Sequence, residues 1–259
     1  LYFYDVDAWW LPPAMVLAGA IGGGLWAAIP ALLKTRFNAN EILTSLMLTY
    51  VAQLLLSFLV YGPWKDPDAY NLPQSRLFHE AAQYPILLEG TRLNVSIFVS
   101  LAAIVAGWFF LKHSFLGYKM RVAGMAEPAA RYSGVNTKKI IWVSMLFGGV
   151  AAGIAGVGEV AGPVGHLLPE ISPGYGFTAI IAAFVGQLHP FGIVLASLLI
   201  ALLYLGGEAA QIALNLPAAI TGLFQGLLLF LLLGAEVLIY YRVRFTARLA
   251  RHHFKMVQS

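Results

Sequence analysis

The sequence predicts an all-α protein, a polytopic transmembrane helix bundle with broken helices, and three observations carry that reading. Hydrophobic residues fill 59% of the 259 positions and charged residues only 11%, against about 25% charged in a soluble domain. Long apolar runs recur at 9–33, 41–60, 93–111, 140–157, 177–206 and 217–241, and a hydrocarbon core of roughly 30 Å needs about 20 helical residues. The basic residues, finally, gather on particular connections between these runs instead of being spread over the chain.

Run 9–33 carries Gly19-x-x-x-Gly23, and run 140–157 carries Gly149-x-x-x-Gly153. Small residues four apart share a helical face on which backbones approach closely, so both runs are candidates for tight helix packing. Run 41–60 follows Asn38 and Asn40, side chains suited to capping a helix start. Run 177–206 is too long for one ordinary span and is interrupted by Gln187-Leu188-His189-Pro190. Proline lacks the backbone donor and clashes with the preceding turn, so this run is one kinked helix or two shorter segments. Several of Trp9, Trp10, Trp26, Trp64 and Trp108 fall near run ends, as in an interfacial aromatic belt.

Charge placement decides the topology. Lys34 and Arg36 follow the first run; Lys112, Lys119, Arg121, Arg131, Lys138 and Lys139 follow the third; Arg242, Arg244, Arg248, Arg251 and Lys255 form the tail. These groups hold 13 of the 16 Lys and Arg, and the positive-inside rule places all three in the cytoplasm. The loop over 61–92 sets Lys65, Arg76 and Arg92 against Asp66, Asp68, Glu80 and Glu89, and is read as external. An even number of crossings must separate Lys139 from Arg242, so 177–206 is read as a short pair breaking near His189-Pro190. Seven crossings follow, with the visible N-terminus outside and the C-terminus in the cytoplasm. The opening LYFYDVDAWW is aromatic and acidic, unlike a secretory signal. It starts at Leu1, so N-terminal helices are expected to precede it, an odd number if the whole protein starts in the cytoplasm.

Several chemistries find no support. The chain has no cysteine, which excludes disulfides, thiolate metal sites and thiol nucleophiles. No phosphate loop, H-E-x-x-H or G-x-S-x-G motif occurs, so neither ATP hydrolysis by this chain nor an intramembrane enzyme is expected. His113, His166 and His189 are scattered, His252-His253 lies in the tail, and no metal or other cofactor is assigned. The net charge of +4 is a topological signal; the tail suits anionic lipid headgroups, and no nucleic-acid platform is present.

The connection over 112–139 is the most informative stretch. Within it, Pro128 can open a short helix, Ala129, Ala130, Arg131, Tyr132 and Ser133 continue it, and Gly134 can close it with a left-handed cap. Such a helix across the cytoplasmic face is either a surface for a soluble partner or an interfacial anchor.

GYKMRVAGMAEPAARYSGV at 117–135 resembles the coupling-helix segment of ABC importer permeases of the simple-sugar and nucleoside type, close to G-[FY]-x-x-R-A-x-G-x-N-P-x-A-A-R-Y-x-G-I. NEILTSLMLTY at 40–50, GPWKDPDAYNLPQS at 62–75, GYGFTAIIAAFVGQLHPFG at 174–192 and GGEAAQ at 206–211 resemble further segments of that family in the same order, the second most like its nucleoside branch. The resemblance covers roughly 38–240. It departs at Glu127, where the family usually has Asn, and at Thr49, another usual Asn. It implies a single permease domain over 1–259 with a coupling loop at 112–139, in the inner membrane of a bacterium. It also implies a second permease subunit, identical or not, a cytosolic ATP-binding-cassette ATPase that holds the ATP, an external substrate-binding lipoprotein, and a nucleoside as substrate, with simple sugars as the alternative. Coupling to the ATPase would fall on Glu127, Pro128, Ala129, Ala130, Arg131, Tyr132 and Gly134.

Candidate pathway groups are the polar residues within apolar runs: Thr44, Ser45, Thr49 and Gln53, then Gln187 at the break, Glu208 and Gln211 after it, and Gln225 in the last run, with Asn94, Ser96 and Ser100 near the third. Amides and hydroxyls suit a neutral nucleoside better than charge does. Glu208 and Gln211 are three apart and share a helical face; they serve equally well as polar groups at a helix end. Isolated hydroxyls can instead bond the carbonyl one turn back, Glu41 can serve a helix start, and Glu236 can pair with the basic tail. An ion-coupled secondary transporter is the competing class; it calls for intramembrane carboxylates, whereas the acids here cluster at helix ends and loops.

Overall fold

The structure, a computed structural model, describes residues 10–240 apart from 71, 89, 92, 173, 216 and 218. Trp9, Glu89, Arg92, the basic tail from Arg242 to Lys255 and His252-His253 lie outside the described residues. The chain divides into two compact units, Leu1–Pro173 and Gly174–Ser259.

In the first unit, α1 (Leu11–Phe37) and α2 (Glu41–Tyr61) form a tight helical hairpin. Pro12 sits in the first turn of α1, where its missing N–H costs nothing. The helix stops at Asn38, whose φ of 51° is left-handed and whose N–H reaches the Leu33 carbonyl. Two residues later the Asn40 side chain accepts from the N–H groups of Ile42 at 3.0 Å and Leu43 at 3.4 Å, starting α2 as its sequence suggests. Across the turn, Lys34 and Glu41 pair at 2.6 Å.

The two glycine pairs meet. On α6 (Thr137–Glu159), Gly149 and Gly153 face Gly19 and Gly23 of α1, antiparallel. A Cβ built on Gly19 would lie 2.9 Å from the Gly153 carbonyl oxygen, and one on Gly23 would lie 2.9 Å from Gly153 Cα. Neither position has room for a side chain. Nearer the other end of the seam, Trp142 Nε1 donates to Thr35 Oγ1 at 3.0 Å, while Thr35 Oγ1 lies 2.8 Å from the Ala31 carbonyl to which it donates.

Between these helices run α3 (Ser96–His113), α4 (Phe115–Met125) and α5 (Glu127–Tyr132). The α4 helix corrects the reading of 112–139 as a loop holding one short helix. Ser114 closes α3 and caps α4, its Oγ accepting from Gly117 N–H at 2.9 Å. Gly117 lets α4 fold back on the end of α3: a Cβ there would lie 2.7 Å from Leu111 Cα. Thr137 already begins α6, so Lys138 and Lys139 are helical as well.

At its far end α6 passes into a π turn, Val160–Val164, closed by Gly165 at φ 71°. The connection over 62–95 is fastened to that end. Ser75 and Leu167 exchange two hydrogen bonds, Ser75 N–H to the Leu167 carbonyl at 3.0 Å and Leu167 N–H to Ser75 Oγ at 2.8 Å. Phe78 N–H reaches the Gly165 carbonyl and Tyr84 N–H the Ala161 carbonyl, each at 2.8 Å. Burial pushes the Tyr84 phenol above its ordinary range. The motif residue Ser75, 1% exposed, is thus an anchor of this loop.

The second unit holds α7 (Tyr175–Val185), α8 (Pro190–Leu214) and α9 (Ala219–Tyr240). The break falls where Pro190 predicts it, over 186–189, with Gln187 and Leu188 at φ 52° and 55°. The pieces are unequal, which corrects the expected pair of short segments ending by 206. The 11 residues of α7 rise about 16 Å, half a bilayer core, whereas the 25 of α8 suffice to cross one. Accordingly GGEAAQ lies inside α8, which ends only at Asn215, at φ 51°. Gly186 and Gly192 make the hairpin tight: a Cβ on Gly186 would lie 2.7 Å from Ile193 Cα. Ile181 and Ala182 pack on Ala196 and Ile200 to form its core.

Candidate functional site

Two regions concentrate the polar groups that hydropathy alone would not place. The first is one end of the first unit, where α1 and α3 finish, α2 and α6 begin, and α4 and α5 lie. Lys34, Arg36, Lys112, Lys119, Arg121, Arg131, Lys138 and Lys139 all belong to it. Lys112 lies 5.1 Å over the Trp108 ring and Lys119 4.3 Å over Phe115, the aromatic and ammonium pairing expected near a membrane face.

On this end α5 is a surface helix with one embedded side. Ala130 is wholly buried, whereas Tyr132 is 97% and the preceding Met125 88% exposed. Gly134 at φ 79° turns the chain away, Gly134 N–H reaching the Arg131 carbonyl and Val135 N–H that of Ala130. Arg131 Nη2 and Glu127 Oε1 pair at 2.7 Å along the helix. Glu127, the departure from the family pattern, thus neutralises the arginine beside it. A cavity of about 390 Å³ opens beneath, lined by Met120 and Gly124 of α4, Glu127, Thr137 and Ser144 of α6, and the Lys34–Glu41 pair.

The candidate groups on α2 form a stripe. Ser45, Thr49 and Gln53 are four residues apart, hence on one face, and all three are exposed. No residue in the span's most apolar 18-residue window is buried, so this polar line stands on a helix otherwise covered in Leu, Met and Phe. The Thr49 hydroxyl donates to the Ser45 carbonyl at 2.9 Å, and Thr44 to those of Asn40 and Glu41 at 3.0 and 3.2 Å, bonds that satisfy the donors while leaving oxygen lone pairs. Asn94 caps α3 instead, its Oδ1 accepting from Ser96 N–H at 2.9 Å. Trp26 sits mid-helix on α1, away from any belt.

The second region is on α8. Glu208 and Gln211 lie in its last two turns, not at its cap, with Glu208 exposed and Gln211 half-buried. Gln187 is exposed in the turn before α8. Gln225 is on α9, its side chain outside the description. Among the described residues no group of three His, Asp or Glu could hold a metal ion. The sequence reading missed Thr178 and Tyr204, whose hydroxyl oxygens are 3.0 Å apart. Hydropathy does not flag a Thr or Tyr inside an apolar helix; the spacing of Tyr204 to Glu208 and Gln211 could have.

A family described as branched-chain amino acid transport system / permease component matches residues 3–233. The chain belongs to this permease family. It is 36% identical over 243 residues to the glucose ABC transporter permease protein TsgB13 of Haloferax volcanii, an alignment covering 90% of this chain and 64% of that one. It is 29% identical to the guanosine ABC transporter permease protein NupP of Bacillus subtilis, covering 93% and 69%, and 24% identical to the nucleoside ABC transporter permease protein NupB of Lactococcus lactis, covering 80% and 59%. The chain therefore spans about two thirds of the length of these relatives, and slightly less than that of the first. No solved structure matches it. Among the described residues, five helices of this permease are long and apolar enough to cross a membrane, Leu11–Phe37, Glu41–Tyr61, Ser96–His113, Thr137–Val164 and Pro190–Leu214.

Proposed function

We propose that this permease is the pathway-forming subunit of an ATP-binding-cassette importer for a neutral, hydroxyl-rich solute, a nucleoside or a simple sugar. The named activities of the relatives, glucose, guanosine and nucleosides, share a ring bearing hydroxyls. The observation that carries the reading is the exposed stripe of Ser45, Thr49 and Gln53 on an unburied apolar helix. Polar side chains at membrane depth face a partner or a water-filled path, not lipid. A second permease subunit, identical or homologous, would enclose a pathway against Thr44, Ser45, Thr49 and Gln53; in the second unit Gln187, Glu208, Gln211 and Gln225 are the pathway candidates.

The basic end is the cytoplasmic one by the positive-inside rule, and 112–139, with α4 and α5, is the coupling segment. There the segment from Glu127 through Pro128, Ala129, Ala130, Arg131 and Tyr132 to Gly134 meets a cytosolic ATPase. Buried Ala130 and the turn at Gly134 support this role, since they hold the helix as one body that can transmit a push. The loop over 61–92 is external, and a lipoprotein delivers substrate there. Interrupted helices such as α7–α8 leave backbone groups at membrane depth, the arrangement alternating access uses.

The absence of cysteine gives a direct test. With Tyr132→Cys as the one thiol of this sequence and the partner subunits stripped of reactive cysteine, a bifunctional reagent should link it to the ATPase subunit, and an impermeant thiol reagent should label it only from the cytoplasmic side. Labelling from the outside, or no link to the ATPase in an intact complex, would overturn the coupling role.

A further inference from the structure

One stripe of α8 changes character along its length. Ala196 and Ile200, 4% and 6% exposed, pack on α7; Tyr204 follows one turn on, then Glu208 and Gln211 at i+4 and i+7 of it. These positions share a face of the helix. The α7 helix accompanies that face only as far as its own first residue, Tyr175, whose ring meets Tyr204 edge-on with centroids 5.9 Å apart. Beside them, the Thr178 hydroxyl is 3.3 Å from the Gly174 carbonyl, to which it donates, and 3.0 Å from the Tyr204 hydroxyl. Whichever of the two hydroxyls donates, the bond fixes the Tyr204 phenol against α7 and leaves it further hydrogen-bonding capacity.

Where α7 begins, then, the stripe presents an aromatic ring, a phenol hydroxyl, a carboxylate and an amide in succession. Tyr175 is 43% exposed although it begins an apolar helix. We propose that Tyr175 and Tyr204, fixed by Thr178, seat the ring of the transported solute, and that Glu208 and Gln211 bond its hydroxyls. The substrate class is a neutral ring with neighbouring hydroxyls. A hexose would lay its apolar face on Tyr175, and a nucleoside would stack its base there and turn its ribose to Glu208. Thr178 is a positioning residue: it orients the Tyr204 phenol without touching solute.

The inference rests on the importer reading. Its test is uptake of labelled guanosine and of labelled glucose into proteoliposomes holding the complete transporter with its ATPase and binding protein. Tyr175→Leu and Glu208→Gln should each lower kcat/KM by about tenfold or more, the worth of a lost contact to a charged or aromatic group. Tyr175→Phe should keep nearly normal uptake, and Thr178→Val should raise KM with kcat little changed. Which solute loses uptake identifies the cargo. Complex recovery and binding-protein-stimulated ATP hydrolysis, read on the same samples, separate a lost contact from a misfolded subunit. Uptake by Tyr175→Leu and Glu208→Gln equal to the unsubstituted transporter would overturn this proposal alone, as would Tyr175→Phe failing as badly as Tyr175→Leu. Failure of the unsubstituted transporter to import either solute with ATP would overturn the importer reading beneath it.

Discussion

Trp142 donates its indole N–H to the Thr35 hydroxyl at 3.0 Å across 107 residues of sequence, joining the end of α1 to the first turns of α6. Together with the glycine seam, this bond makes α1 and α6 one body, and α4 and α5 lie at the same end of it. Trp142→Phe keeps an aromatic ring and removes one half-buried hydrogen bond, a loss of about 1 kcal/mol. The purified transporter should melt a few degrees lower with transport retained.

The seam itself is far less forgiving. A Cβ on Gly153 would lie 2.8 Å from the Gly19 carbonyl carbon, and both groups are backbone. Gly153→Val should therefore cost about 1–3 kcal/mol or more through forced separation of the helices. Reduced yield of monodisperse protein by gel filtration is the expected result, with Gly156→Ala as a neutral control, since nothing lies near a Cβ there.

The pairing of Glu127 with Arg131 is exposed on both sides, so it is worth well under 1 kcal/mol to stability. Glu127→Gln should leave folding unchanged. Under the proposed coupling role it should alter ATP hydrolysis stimulated by the binding protein, because it frees the Arg131 guanidinium from its partner on α5. Gly134 is different: at φ 79° an alanine costs about 1 kcal/mol, and Gly134→Ala should uncouple hydrolysis from transport by tilting α5.

Ser75 holds the loop over 62–95 to the end of α6 through two bonds to Leu167, and Ser75→Ala removes the one made by its hydroxyl. The half-buried Leu167 N–H then lacks its acceptor, at a cost of about 1 kcal/mol. Faster proteolysis of the loop over 62–95, with the membrane helices intact, is the expected readout.

Much of this was readable from residue spacing, because close packing and caps are local chemistry. Gly19, Gly23, Gly149 and Gly153 announced a seam, and Pro128 and Gly134 bracketed α5. Pro190 announced the break, though not its asymmetry, because hydropathy cannot tell an apolar helix of half length from a full one. The α4 helix was missed because Gly117 and Gly124 look like loop residues, while the Ser114 cap that starts it was there to be read. Gly117 is in fact required by contact with α3, not by a turn. Tyr204 and Thr178 stayed hidden for a different reason: their role depends on meeting each other across the α7–α8 hairpin.

The central claim is that this permease works as the membrane subunit of an ATP-driven importer, and uptake in proteoliposomes tests it most directly. Reconstituted with its ATPase and binding protein, the transporter should import labelled guanosine or glucose only with ATP inside the compartment facing the ATPase, and dissipating ion gradients should change nothing. Uptake that continues without ATP and collapses with a proton or sodium gradient would contradict the account.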